Sequence, residues 1–189
     1  MKNNISIIAL IVANSLPLAG VIWLDWAVFD VLILYWAENV VIGIINVMRM
    51  NKCLSSSKLG YFIIPFFTVH YGMFCFAHYS AVVMMFDRGQ WHAGLWVAIA
   101  AIALSHLISY AVNFVAGGEY QRTNIIALMM RPYGRIIVLH ISIIAGGFLV
   151  MALGNPFWML PVLVVVKTVI DLRMHIAERH IFGVPVRSE

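Results

Sequence analysis

The chain has 189 residues, of which 63% are hydrophobic and 11% are charged, and its net charge is +4. Soluble domains carry about 25% charged residues, so this composition excludes a soluble globular protein and is typical of one that spans a lipid bilayer. The positive charge does not indicate nucleic-acid binding, because the basic residues are spread over short loops without a basic run. The bilayer is therefore the first predicted partner.

Hydrophobic segments of about 20 residues, long enough to cross a bilayer as helices, recur along the chain. They predict an all-α, polytopic membrane protein with six transmembrane helices in one bundle, forming a single domain over residues 1–189. The predicted spans are about 5–23, 27–48, 61–86, 93–115, 136–154 and 157–176. Residues 119–131 are predicted to lie flat at the cytoplasmic interface, because the apolar run 125–130 is too short to cross.

The distribution of lysine and arginine predicts the orientation of these spans. With both termini in the cytoplasm, all but two of the 12 lysines and arginines fall on the cytoplasmic side. Arg88 then lies outside and Lys167 lies within the sixth span. This bias favours an even number of spans.

The second predicted span carries a polar stripe with a carboxylate near its middle. At about 3.6 residues per turn, one side of this helix holds Tyr35, Glu38, Asn39, Ile42, Asn46 and Arg49. A charge at the centre of a membrane helix costs about 2.5 to 3.5 kcal/mol, so Glu38 requires a partner and is a candidate functional residue.

Polar residues in four predicted spans lie at one depth, roughly 14 Å from the cytoplasmic end at about 1.5 Å per residue. These residues are Glu38, His70, His106 and Lys167. His140 and Asp171 are predicted about one turn nearer the cytoplasm, and His175 at the boundary. Together they predict a pocket that opens toward the cytoplasm.

Imidazole and carboxylate groups without thiolates suit a divalent metal such as zinc, iron or manganese. The predicted metal ligands are His70, His106, His140, Asp171 and His175. Glu38 and Lys167 are the predicted catalytic residues if the site is hydrolytic, although the chain has no HExxH motif. Asn39 and Arg135 are predicted to bind a cofactor or substrate, and Arg135 with Arg131 suits an anionic lipid or a small anionic substrate.

Other functions use the same residues. Glu38 and the Lys167/Asp171 pair could change charge state in a proton-coupled transporter of small solutes or ions. A structural or haem-binding subunit is a further alternative, and the sequence also leaves open a homo-oligomer. Histidine and asparagine in membrane helices often only join helices by hydrogen bonds, which is the simpler interpretation of His78, His92 and Asn113.

Three short motifs also resemble an uncharacterised family of bacterial multi-spanning integral membrane proteins, a domain of unknown function. They are Tyr35-Trp36-Ala37-Glu38-Asn39, His70-Tyr71-Gly72 and Pro132-Tyr133-Gly134-Arg135. The resemblance implies an intact single domain in the bacterial inner membrane, but it implies no activity. It gives special weight to Glu38, His70, Arg135, His140, Lys167, Asp171 and His175.

Overall fold

The computed structural model describes residues 20, 23, 26–53, 59–86 and 92–153. Within these residues the regular structure is helical. No strand occurs in these residues, so the prediction of an all-α protein is confirmed for them. The elements are α1 (Val28–Cys53), α2 (Gly60–Met85), α3 (Ala93–Ser109), a π-helical segment (Tyr110–Ala116), a 3-10 turn (Glu119–Gln121), α4 (Ile125–Met130) and α5 (Tyr133–Leu153).

Four helical stretches in the described residues are long and apolar enough to cross a membrane. They are Val28–Cys53, Gly60–Met85, Ala93–Ala116 and Ile125–Phe148. The described part of the chain therefore supports four membrane-spanning helices, corresponding to the second to fifth predicted spans, and does not support six. The predicted span at 157–176 lies outside the described residues, as does all of the span at 5–23 except positions 20 and 23.

Helix α1 is the most buried of the four stretches. We compare the most apolar part of each stretch. In α1, 67% of that part is buried; the share is 22% in α2, 6% in the stretch that begins with α3 and 39% in the stretch that ends in α5. The reason is that α2, α3, α4 and α5 all pack against α1. Large apolar side chains on α2 and α3, such as Phe76 and Leu104, are exposed, as expected for surfaces that face lipid.

Buried apolar side chains form two clusters, one toward each end of α1. The first cluster includes Phe29, Leu32, Val82, Leu95 and Leu139. The second cluster includes Met50, Phe67, Phe114, Leu128 and Ile136. The part of α1 that carries Glu38 lies between the two clusters along the helix, so apolar packing holds the polar positions from both sides.

Helices α1 and α2 approach closely at Gly43. A Cβ atom at this position would lie 2.6 Å from Cε1 of Tyr71, so only a glycine allows the present packing. The Tyr71 hydroxyl donates a hydrogen bond of 3.0 Å to the backbone carbonyl of Asn39. Together these contacts fix the position of α2 beside the polar stripe of α1.

The connection from α3 to α5 is anchored on α1. Gly118, at φ 70°, turns the chain in the left-handed region that favours glycine. The Asn124 side chain then caps α4 by accepting a hydrogen bond of 2.7 Å from the amide of Ala127. Asn46 of α1 donates a hydrogen bond of 2.9 Å to the Leu128 carbonyl. The stripe on α1 thus holds α4 as well; the placement of α4 relative to a bilayer stays a prediction.

Candidate functional site

Glu38 of α1 shares one carboxylate oxygen with side chains from two other helices. Arg135 Nη1, in the first turn of α5, donates a hydrogen bond of 2.8 Å to Glu38 Oε1. His106 Nε2, from α3, lies 3.9 Å from the same oxygen. The Glu38 side chain is 19% exposed and that of Arg135 is 34% exposed. The pair is therefore partly shielded from solvent. In such a partly buried place, opposite charges attract more strongly than in bulk water.

A small pocket lies beside this ion pair, and a water-sized sphere can occupy about 10 Å³ of it. Two of its polar atoms, Asn39 Oδ1 and Ser142 Oγ, are buried and have no hydrogen-bond partner within the described part of the chain. Buried polar atoms are normally satisfied, so these two are suited to contact a water molecule or a small ligand. The pocket is lined by Tyr35, Glu38, Asn39, Arg135, Val138, Leu139 and Ser142.

His70, predicted at the same depth as Glu38, makes a different contact. Its Nδ1 atom lies 2.8 Å from the hydroxyl of Tyr133. Its ring stacks on Phe66, with ring centroids 5.2 Å apart, and meets the ring of Phe74 edge-on. The structure thus holds His70 between aromatic rings, at the point where α2 meets the beginning of α5.

His140 pairs with another histidine. Its Nδ1 atom lies 3.0 Å from Nε2 of His78. His140 is exposed and His78 is buried, and His78 Nδ1 has no hydrogen-bond partner among the residues described. The contact joins α2 to α5, which is the helix-joining hydrogen bond expected of His78.

The predicted metal ligands are not brought together in the described ranges. No three His, Cys, Asp or Glu side chains there are placed to hold one metal ion. Asp171, His175 and the predicted catalytic residue Lys167 lie outside the described residues. The metal centre therefore stays a prediction. Of its predicted ligands, His106 lies beside the predicted catalytic residue Glu38, with Nε2 3.9 Å from Oε1.

Sequence reasoning missed Ser142 and Tyr133 as neighbours of the predicted residues. The signal for Ser142 is present in the chain, because Arg135 and Ser142 are separated by i,i+7 and so share one helix face with Val138 and Leu139. Tyr133 gave no such signal, since the predicted span began only after it. The helix actually begins at Tyr133, and this extension brings both Tyr133 and Arg135 into contact with α1 and α2 residues.

Comparison with curated proteins and with solved structures finds no match to either. A family model does match the chain over residues 1–185, almost its whole length. The model is that of DUF6498, a family of unknown function. The function of the site is therefore inferred from its geometry. The chain belongs to the DUF6498 family.

Proposed function

We propose that the chain is a proton-coupled membrane transporter in which Glu38 is the proton-binding group. One observation carries the proposal: Glu38 Oε1 lies 2.8 Å from Arg135 Nη1 and 3.9 Å from His106 Nε2, between helices apolar enough to span a membrane. Ionisable groups in such helices are costly, and they typically mark proton and ion pathways.

Protonation of Glu38 would change the balance of charge in the site. The ionised carboxylate neutralises Arg135, whose guanidinium stays charged at any physiological pH. Once Glu38 takes up a proton, Arg135 loses its counter-ion. The protein then favours a conformation in which another anion pairs with the guanidinium or water solvates it. The His106 imidazole, close to the same carboxylate oxygen, supplies a second group that can exchange a proton with it.

The size of the pocket limits the cargo in this conformation. The space that a water-sized sphere can occupy is about 10 Å³, which is room for about one water molecule or a small ion beside Asn39 and Ser142. A larger solute would enter only if α5 moved away from α1, which is the movement that loss of the Glu38–Arg135 pair favours. Protonation of Glu38 would therefore control whether a solute can enter the pocket between α1 and α5.

The complete transporter in this proposal has six spans, adding those predicted at 5–23 and 157–176, and both termini face the cytoplasm of a bacterial inner membrane. Asp171, paired with Lys167 at i,i+4, is the second group that would change charge in the cycle. A fluorescent reporter that matures only in the cytoplasm, fused to Glu189, tests the orientation. Signal from a periplasm-active reporter at the same position would contradict it.

Proton flux in liposomes tests the transport proposal. Purified protein is reconstituted with an entrapped pH-sensitive dye, and an inward proton gradient with a potassium diffusion potential is imposed. We expect the wild type to acidify the lumen faster than protein-free liposomes, and Glu38→Gln to abolish the difference because the amide cannot carry the proton. Glu119→Gln is the matched control and should stay active, since Glu119 pairs with Arg131 away from the pocket. Equal flux in the wild type and Glu38→Gln contradicts the proposal.

A divalent-metal site with hydrolytic activity is the second candidate. In its favour, His106 Nε2 and Glu38 Oε1 are 3.9 Å apart, a separation compatible with two atoms that each bind one ion at about 2.0 to 2.2 Å. Against it, Arg135 occupies the same carboxylate oxygen at 2.8 Å, and a metal cation would have to displace the guanidinium. Asp171 and His175 would supply the other ligands.

Elemental analysis of purified protein separates the two candidates. Near-stoichiometric zinc, iron or manganese in the wild type, retained in His70→Ala and lost in His106→Ala, would support a metal at Glu38. Metal-free wild-type protein after purification without chelators would contradict the metal site and leave the transport proposal intact.

A further inference from the structure

Positive charge is concentrated at one end of the described helices. All five lysines and arginines of the described ranges lie there. Two carboxylates, Glu38 and Glu119, pair with them, which leaves a net charge of +3. The cationic side chains are Arg49 and Lys52 at the end of α1, Arg122 and Arg131 in the connection, and Arg135 in the first turn of α5.

Arg49 is held in place but is not fully satisfied. Its guanidinium carbon lies 5.4 Å from the ring centroid of Phe114, whose side chain is fully buried. Its Nε atom is buried and has no hydrogen-bond partner within the described residues. A buried donor without an acceptor is costly, so this atom is suited to bind an anion that reaches the end of the helices.

Arg49 has neighbours of both signs. Glu119 is the charged side chain that acts most strongly on Arg49, and its attraction is opposed by repulsion from Arg131 and Arg135. Glu119 is committed to Arg131, with Oε1 2.8 Å from Nη1. Arg135 is committed to Glu38 in the same way. Each carboxylate of the region is thus shared with another arginine.

Lys52 extends the positive surface toward solvent. It lies one helical turn beyond Arg49 on α1, and its ammonium nitrogen is 5.4 Å from the ring centroid of Tyr120. Tyr120 is in turn fixed to α1, because its carbonyl accepts a hydrogen bond of 3.5 Å from Cys53 Sγ. The 3-10 turn therefore holds the Tyr120 ring beside Lys52.

We propose that Arg49 and Lys52, with Arg131 beside them, form a binding site for a phosphate group. The planar guanidinium of Arg49 offers a fixed, directional donor and Lys52 offers a mobile charge, a combination that suits phosphate oxygens. The site lies at the end of membrane-spanning helices, where anionic phospholipid headgroups are attracted to basic side chains. The phosphate belongs either to such a headgroup or to a small phosphate compound.

Thermal unfolding of the purified full chain in a neutral detergent tests this site, independently of any transport. The added probes are phosphatidylglycerol, phosphatidylcholine and inorganic phosphate. Stabilisation by phosphatidylglycerol but not phosphatidylcholine or phosphate assigns the site to a lipid headgroup, and saturable stabilisation by phosphate alone assigns it to a free phosphate. If neither stabilises more than phosphatidylcholine does, the proposal is overturned.

Matched variants locate the effect. We expect Arg49→Gln and Lys52→Gln each to weaken the apparent affinity for the stabilising probe by about tenfold, as for one charge-assisted hydrogen bond. Arg122→Gln, which removes an exposed arginine of the same region, should stay close to the wild type. Lys52 is exposed and its variant should fold even if Arg49→Gln does not. An equal loss in Arg122→Gln would mean a diffuse charge effect and would overturn the site.

Discussion

Arg135 and Glu38 are 97 positions apart in the chain and are joined by a hydrogen bond of 2.8 Å between Nη1 and Oε1. The contact ties the first turn of α5 to the middle of α1. A partly buried ion pair of this kind adds little stability compared with apolar packing, but removal of one partner leaves a charge that is poorly solvated. The pair is therefore sensitive to a change in charge, as a proton-coupled site requires.

The first prediction concerns the energetic coupling between these two residues. Glu38→Gln or Arg135→Gln alone should each lower the free energy of unfolding by about 1 to 3 kcal/mol, because the remaining partner loses its counter-ion. The double variant should be destabilised by clearly less than the sum of the single effects. Unfolding titrations in mixed detergent micelles measure all four proteins.

A second pair provides the control for this cycle. Glu119 and Arg131 have the same separation of 2.8 Å, but the Glu119 side chain is 38% exposed. Its coupling should be in the range of about 0 to 1 kcal/mol that is typical of surface ion pairs. Additive effects at Glu38 and Arg135 would show that the pair is not coupled and would weaken its role as a charge switch.

The second prediction concerns the close contact between α1 and α2. Gly43→Ala would place a Cβ atom 2.6 Å from Cε1 of Tyr71. The Tyr71 ring is buried and hydrogen-bonded, so the overpacking should lower the free energy of unfolding by about 1 to 3 kcal/mol. Gly72→Ala is the control, because nothing lies within 4 Å of the added atom. It should be neutral or slightly stabilising through helix propensity, and equal losses in the two variants would argue against the contact.

The contact between Glu38 and His106 agrees with the common level predicted for these two residues, whereas the direction in which a side chain points was predictable only in part. Counting residues from the predicted ends placed Glu38, His70 and His106 at one level, and the structure holds Glu38 and His106 within 3.9 Å. His70 instead contacts Tyr133. Equal depth does not fix the rotation of a helix about its axis. Helix α2 has low amphipathicity, so its sequence does not show which side faces the other helices.

The partner of Glu38 was also hidden from the sequence. Arg135 was placed in the cytoplasmic connection, just before the predicted fifth span. An arginine side chain is long, and a residue at a helix end can extend its charged group several ångströms along a neighbouring helix. By contrast, the period of about 3.6 residues predicted that Glu38, Asn39 and Asn46 share one side of a helix, because that depends only on local geometry.

The third prediction concerns the hydrogen bond that docks α4 on α1. Asn46 is 2% exposed and donates 2.9 Å to the Leu128 carbonyl. Asn46→Leu keeps the volume but leaves the carbonyl without this donor, so the free energy of unfolding should fall by about 1 to 3 kcal/mol. Asn113→Leu is the control, because Asn113 is exposed and donates only to Ser109 Oγ. Indistinguishable stabilities of the two variants would contradict the docking role.

The last prediction concerns the pair of imidazoles formed by His78 and His140, whose Nε2 and Nδ1 atoms are 3.0 Å apart. One ring must donate and the other accept, so the hydrogen bond exists only while at least one ring is neutral. Acidification that protonates both rings removes the acceptor and sets two positive charges against each other. The melting temperature of the wild type should therefore fall on acidification, and that fall should be smaller in His140→Phe, which cannot form the charged pair. His70→Phe, which removes a histidine bound to Tyr133 instead, should keep most of the wild-type response. An undiminished response in His140→Phe would show that another group causes the acid sensitivity.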